Sequence, residues 1–91
     1  MSNTARAGVQ SVDRALSILG LLARRGSLGV TEIARELGVH KSTAFRLVAT
    51  LEAHDLVAQR TDRGTYRLGV GIQRLAGATT GRLDLGQESR P

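Results

Sequence analysis

Ser42, Thr43 and Arg46 are the residues of this chain whose types and spacing best suit chemistry with a ligand, and the chemistry they suit is hydrogen bonding to a phosphate and to a flat, polar-edged ring. A guanidinium donates two parallel hydrogen bonds to O6 and N7 of guanine, which makes Arg46 the candidate for reading a base. Two hydroxyls at the start of a helix, beside N–H groups that have no partner inside it, suit a phosphate; this is the role expected of Ser42 and Thr43, with Lys41 adding charge next to them. On a helical wheel, Ser42, Arg46, Ala49 and Ala53 fall opposite the apolar stripe, with Phe45 on one flank and Thr43 and Thr50 on the other. Ala49 contributes by being small, since a bulkier residue would hold the helix off a groove floor. Two of these residues also have plainer readings. Phe45 either meets a thymine methyl or packs at the edge of the core, and Arg46 either reads a base or is a surface arginine, solvated or paired with Glu52 or Asp13.

Such residues are useful only if something holds them in order. Ile33, Ala34 and Leu37 form the inner face of one short helix, Gly38 permits a left-handed turn, and Val39 plugs the corner. Ala44, Leu47, Val48 and Leu51 then give a second apolar stripe, expected on a helix from His40 or Lys41 to Ala53 or His54. Ala34 lets the two backbones approach where the helices cross steeply. This is the spacing of a helix-turn-helix, whose second helix offers its polar side to a DNA major groove. Thr31 is expected to cap the first of the two helices, with Glu32 in its first turn, and is counted among the candidate contacts.

The flanking segments complete the frame. Residues 1–9 are small, polar and without periodicity, and read as a flexible arm. Ser11 is the expected N-cap of an opening helix whose apolar face is Val12, Ala15, Leu16, Leu19, Leu22 and Ala23, ending at Gly26 after Arg24 and Arg25. Arg14, early in this helix, either reaches a phosphate or pairs with an acid. After a turn at Asp55, residues 56–60 and 65–68 flank Thr61-Asp62-Arg63-Gly64 and read as a β-hairpin. Arg63 at its tip and Arg60 on its strand are candidate contacts to phosphate or the minor groove, although a charged hairpin edge also guards against aggregation. Arg67 is left open between these readings. Tyr66 alternates in register with Leu68 and is expected in the core. His40 caps or packs at the helix start, and His54 lies on the surface. From Val70 a short helix is expected through Ile72, Leu75 and Ala76, followed by a linker to the end of the chain. The fold class is therefore mainly α with a small β-hairpin: a winged helix-turn-helix over 10–69 and a linker helix beginning at 70.

Composition narrows the functions. Ninety-one residues make one small domain, with a net charge of +5 from 12 arginines and one lysine against eight acids. Arginine suits phosphate and guanine, but a GC-rich genome raises arginine everywhere, so placement matters more than the total. With no cysteine and two histidines there is no basis for a disulfide, a metal site or a cofactor. No nucleophile–base pair or carboxylate dyad is visible, so an enzyme is not expected. No apolar run approaches the roughly 18–20 residues a membrane span needs, and without an apolar signal core the chain is expected in the cytoplasm. The competing use of this fold, protein–protein interaction without DNA, would call for an apolar or acidic face in place of Ser42, Arg46 and Ala49.

The chain resembles the IclR-type bacterial transcription regulators. The resemblance rests on Ser11-Val12-Asp13-Arg14-Ala15-Leu16 opening the first helix, Lys41-Ser42-Thr43-Ala44-Phe45-Arg46-Leu47 opening the recognition helix, and Tyr66-Arg67-Leu68-Gly69 closing the wing. It is close over 10–69 and looser beyond. It implies a linker helix leading to a larger C-terminal domain that binds a small-molecule effector, with residues 70–91 as the linker helix and the start of that domain. It also implies dimers or tetramers on palindromic operators at the bacterial nucleoid, repressing or activating catabolic operons. The chain then reads as an excised DNA-binding domain or a natural truncation, the former being preferred. His40 departs from the proline or serine of the family pattern, and His54-Asp55 from its glycine, which implies a strained corner.

Overall fold

The computed structural model describes residues 8–60 and 64–86, with side chains as far as Thr79. Most of the expected N-terminal arm, the hairpin tip with Arg63, and the last five residues lie outside these. In chain order the elements are α1 (Gln10–Arg25), α2 (Val30–Leu37), α3 (Lys41–Ala53), β1 (Val57–Arg60), β2 (Thr65–Leu68) and α4 (Val70–Gly86). Three helices followed by an antiparallel hairpin form the winged helix expected from the sequence.

The core lies between α1, α2, α3 and the inner face of the hairpin. Ile33, Ala34, Ala44, Val48 and Leu51 are buried, with Leu37, Val39 and Leu47 packed around them, as the periodicity of the two-helix unit predicts. Tyr66 is buried with them, as its strand register predicts. Helix α1 matches expectation in part. Leu22 is buried and Ala15 and Leu19 pack against the core as expected. Ile18 and Leu21 are buried beside them, whereas Val12 and Leu16 are 55% and 59% exposed, and Ala23 is exposed too. The helix carries apolar residues on two overlapping stripes, and packing against α2, α3 and β2 selects the one through Ile18, while Val12 and Leu16 face outward.

Two helix starts are also corrected. Helix α1 begins at Gln10 with Val9 in extended conformation before it, so Ser11 lies inside the first turn rather than capping it. Helix α2 begins at Val30 after Gly29, and Thr31 is its second residue, not its cap. The first turn of α2 is closed instead by Glu32, whose Oε1 accepts the Gly29 N–H at 2.9 Å, half of a capping box.

Both inner helices end in the same double hydrogen bond. At the end of α2, Val39 N–H donates to Ala34 O and Gly38 N–H to Arg35 O, with Gly38 at φ 71°. At the end of α3, Leu56 N–H donates to Leu51 O and Asp55 N–H to Glu52 O, with Asp55 at φ 64°. This is the Schellman pattern, which needs a left-handed residue and usually has glycine there. Asp55 fills the role with a side chain, at a steric cost of about 1–2 kcal/mol.

The hairpin pairs Val57 with Leu68 through to Arg60 with Thr65. Its inner strand is bound a second time: Leu28 and Tyr66 exchange both backbone hydrogen bonds, at 3.0 and 2.7 Å, so the α1–α2 turn adds a one-residue strand to the sheet. Helix α4 is longer than expected. It runs 17 residues, through Gly77 and on to Gly86, where the sequence suggests an irregular linker. From Gln73 to Thr79 its side chains are exposed, so the helix forms without burying a continuous face.

Candidate nucleic-acid interface

Helix α3 is held from behind by Ala44, Val48 and Leu51, which turns Ser42, Phe45, Arg46 and Ala49 to solvent. Its N-cap, His40, is extended and makes no side-chain cap. Ala44 N–H reaches back to His40 O at 3.0 Å, while the N–H groups of Lys41, Ser42 and Thr43 find no acceptor among the described residues. Unpaired amides at a helix start carry partial positive charge, so the two hydroxyl residues stand beside a ready anion site. Phe45 is 54% exposed and belongs neither to the core nor to its packed rim. The core-edge reading of this residue is thereby set aside.

A second helix joins this surface. Between α1 and α3 runs an open groove of about 570 Å³, with Ser11, Arg14, Thr43, Arg46 and Thr50 as its polar lining and Val12, Ala15 and Leu47 as its apolar lining. Residues far apart in sequence, Arg14 and Arg46, thus share one concave edge. Among the described residues, the side chains of Arg14, Lys41 and Arg46 have no ion-pair partner; the ion pairs there are Arg25–Glu36 and Arg74–Asp55. Arg46 is therefore not paired with Glu52 or Asp13. Ser11 is a member of the groove that sequence reasoning placed only as a cap; its position one turn before Arg14 on the same helix was the available signal.

The remaining candidates are arranged less uniformly. Thr50 lines the groove, but its hydroxyl donates to Arg46 O at 3.0 Å, so it offers lone pairs and a methyl group outward rather than a proton. Thr31 is exposed in the first turn of α2. Arg60 ends β1 half-buried and is already engaged within the molecule, and Arg67 on the paired strand is exposed. Arg63 lies outside the described residues. No group of His, Cys, Asp and Glu among the described residues could hold a metal ion, and no helix there is long and apolar enough to cross a membrane.

Comparison with known proteins places this arrangement. The model of the IclR helix-turn-helix domain matches residues 11–61, from the groove side of α1 to the hairpin tip. The chain belongs to the IclR helix-turn-helix family. It is 41% identical over 90 residues to the HTH-type transcriptional regulator Rv1719 of Mycobacterium tuberculosis, covering 98% of this chain and 34% of that protein. It is 39% identical over 70 residues to the HTH-type transcriptional repressor AllR of Salmonella typhimurium, covering 76% of this chain and 26% of the repressor. The crystal structure of an IclR transcriptional regulator from Alicyclobacillus acidocaldarius superposes with a TM-score of 0.74 at 37% identity, covering 78% of this chain and 29% of that one. The chain spans about a quarter to a third of the length of the curated relatives it matches. Membership makes this winged helix a DNA-binding domain of the kind used in transcription regulation.

Proposed function

We propose that the domain reads a double-stranded operator with α3 in the major groove and the hairpin alongside on the backbone or minor groove. The observation that carries this reading is the outward face of α3. It holds Arg46 and Phe45 without partners among the described residues, a small Ala49 between turns, and unpaired amides at Ser42 and Thr43. Arg46 takes a guanine and Phe45 a thymine methyl. Ser42, Thr43 and Lys41 hold phosphates at the helix start, and Arg14 holds one from the other side of the groove. Thr31, Thr50, Arg60 and Arg63 complete the contact set, Thr50 through its methyl group and lone pairs. An apolar or acidic face, which a protein-binding use would call for, is not what α3 presents.

One such module buries little surface and binds weakly, so two copies on a palindromic operator complete the reading. Val9, just before α1, and Val12 and Leu16 on it are exposed and offer an apolar stripe for that pairing. A C-terminal domain that binds a small-molecule effector would set operator occupancy in the whole protein, and the domain acts as a binding module rather than an enzyme. Its place of action is the bacterial cytoplasm, at the nucleoid. AllR, a relative, is named a repressor, and repression by operator occupancy is the simplest outcome of such binding.

Selection from a random duplex pool with the purified chain, followed by fluorescence anisotropy across a salt series, tests the proposal. The expected result is a selected half-site whose log affinity falls steeply with log salt, since phosphate contacts release counterions. Absence of binding to any sequence at about 50 mM salt, where such contacts are strongest, overturns it.

A further inference from the structure

The back of the reading helix meets the start of α4 at a corner that is tighter than either element needs for its own folding. Gly71 N–H donates to Asp55 O at 2.7 Å and Gly69 N–H to Leu56 O at 2.8 Å. A Cβ added at Gly69 would stand 2.5 Å from Asp55 O and 3.1 Å from Val57 N; one added at Gly71 would stand 2.6 Å from Asp55 O and 3.1 Å from His54 O. Every one of these obstacles is backbone, so no side chain can swing aside. Neither glycine has a left-handed φ. They are needed for space rather than for backbone freedom, and Gly71 holds its place inside a helix, where alanine would otherwise be the better residue. One turn further along α4, Arg74 Nη2 reaches Asp55 Oδ2 at 3.2 Å. That pair is well exposed on both sides and adds little strength by itself, but it gives the left-handed aspartate a use that glycine could not supply.

We propose that Asp55, Gly69, Gly71 and Arg74 form a rigid elbow that sets the direction in which α4 leaves the reading head. The Asp55 carbonyl is the pivot. It belongs to the turn that ends α3 and at the same time accepts from the first turn of α4, so the start of α4 is tied to the end of α3. These four are positioning residues: none lies on the outward face of α3. In a pair of copies held by the α1 stripe and α4 together, the direction of α4 sets the spacing between half-sites. That consequence for spacing rests on the DNA-binding reading; the elbow itself does not.

The size of the effect follows from the geometry. Restoring an ordinary contact of 3.4 Å at Gly71 requires a displacement of about 0.8 Å. Acting at a helix radius of roughly 5 Å, this tilts the α4 axis by about 10° and moves its far end by about 4 Å. Residual dipolar couplings of the backbone amides measure that tilt directly in the free protein. In Gly71→Ala, α4 should tilt by about that angle against α1–α3, whose mutual orientation stays unchanged, and the residue 71 amide should lose its protection from hydrogen exchange. Gly69→Ala provides the same reading if Gly71→Ala does not fold. An α4 orientation and amide protection equal to the parent's in the folded variant overturn the elbow.

Operator selection supplies the readout that a merely structural role would not move. A positioning role predicts a changed or broadened half-site spacing with affinity for an isolated half-site held within about twofold. An equal loss of affinity at every spacing overturns the positioning role. Failure of the parent chain to select any duplex would count against the DNA-binding reading alone, since the dipolar couplings judge the elbow without DNA.

Discussion

The outward face of α3 and the corner behind its C-terminus are built on opposite terms. On the outward face, Arg46, Lys41 and the amides of Ser42 and Thr43 have no partner among the described residues. At the corner, the Asp55 carbonyl accepts from Gly71, the Asp55 amide donates to Glu52, its carboxylate meets Arg74, and no space remains for a methyl group at Gly69 or Gly71. On the proposed reading, the groups that meet DNA are those left unpaired within the domain, whereas groups that serve geometry are satisfied at once. Polar residues of ordinary type therefore carry opposite meanings a few residues apart, and their partners distinguish the two.

Four substitutions break or sharpen this contrast. Ile18→Ala cuts into the layer on which both regions rest and should cost about 2–5 kcal/mol in urea or guanidinium denaturation, weakening DNA binding only through loss of folded protein. Arg46→Ala should leave the denaturation midpoint nearly unchanged, yet cost about 1–3 kcal/mol in affinity for the selected duplex and relax preference at one base, as read by anisotropy across single-base variants. A comparable loss of stability would place Arg46 among the groups that serve geometry. Gly71→Ala should do the reverse: overpacking costs about 1–3 kcal/mol of stability, offset by up to about 1 kcal/mol of improved helix propensity, with half-site affinity retained. The smallest change is Asp55→Gly. It relieves about 1–2 kcal/mol of left-handed backbone and loses an exposed ion pair worth at most about 1 kcal/mol, so the melting temperature should hold or rise slightly. A clear fall would show that the carboxylate matters more than its exposure suggests.

The two-helix unit was legible almost residue by residue, because a 3.6-residue period interrupted by Gly38 leaves one way to face Ile33, Ala34, Ala44, Val48 and Leu51 inward. Helix α1 was legible as a helix but not in its rotation. Val12, Ala15, Leu16, Ile18, Leu19, Leu21 and Leu22 cover more than one face, and the surface formed by α2, α3 and β2 together decides between them. The two expected caps differ for a related reason: Ser11 and Thr31 are good N-cap residues, but the helices begin one residue earlier, at Gln10 and Val30, with the Val9 carbonyl or Glu32 closing the turn. Helix α4 was read too short because Gly77 and a string of unburied residues suggest a linker, whereas a helix continuing from a firmly held first turn does not face the cost of nucleation again. Of the candidate site, the α3 residues were visible as a pattern. The sharing of a groove by Arg14 and Arg46 was not, since it depends on how two helices cross. Gly69 enters only as the end of the Tyr66–Gly69 motif and Gly71 carries no signal; the reason for both lies in a carbonyl fourteen residues upstream of the first and sixteen of the second.

The Leu28–Tyr66 exchange has a consequence for how the domain can change length. Since the inner strand of the hairpin is anchored to the α1–α2 turn at Leu28, the hairpin register is held at its base. Residues inserted between Arg60 and Gly64 would lengthen the tip and leave Tyr66 in place, so the reach of the wing can vary between related chains at little structural cost. A single residue inserted between Gly26 and Gly29 would instead carry Leu28 out of register with Tyr66 and break both of these hydrogen bonds, leaving the wing held by the buried Val57 and Tyr66. The domain can evolve new reach at one turn only by keeping the other at constant length.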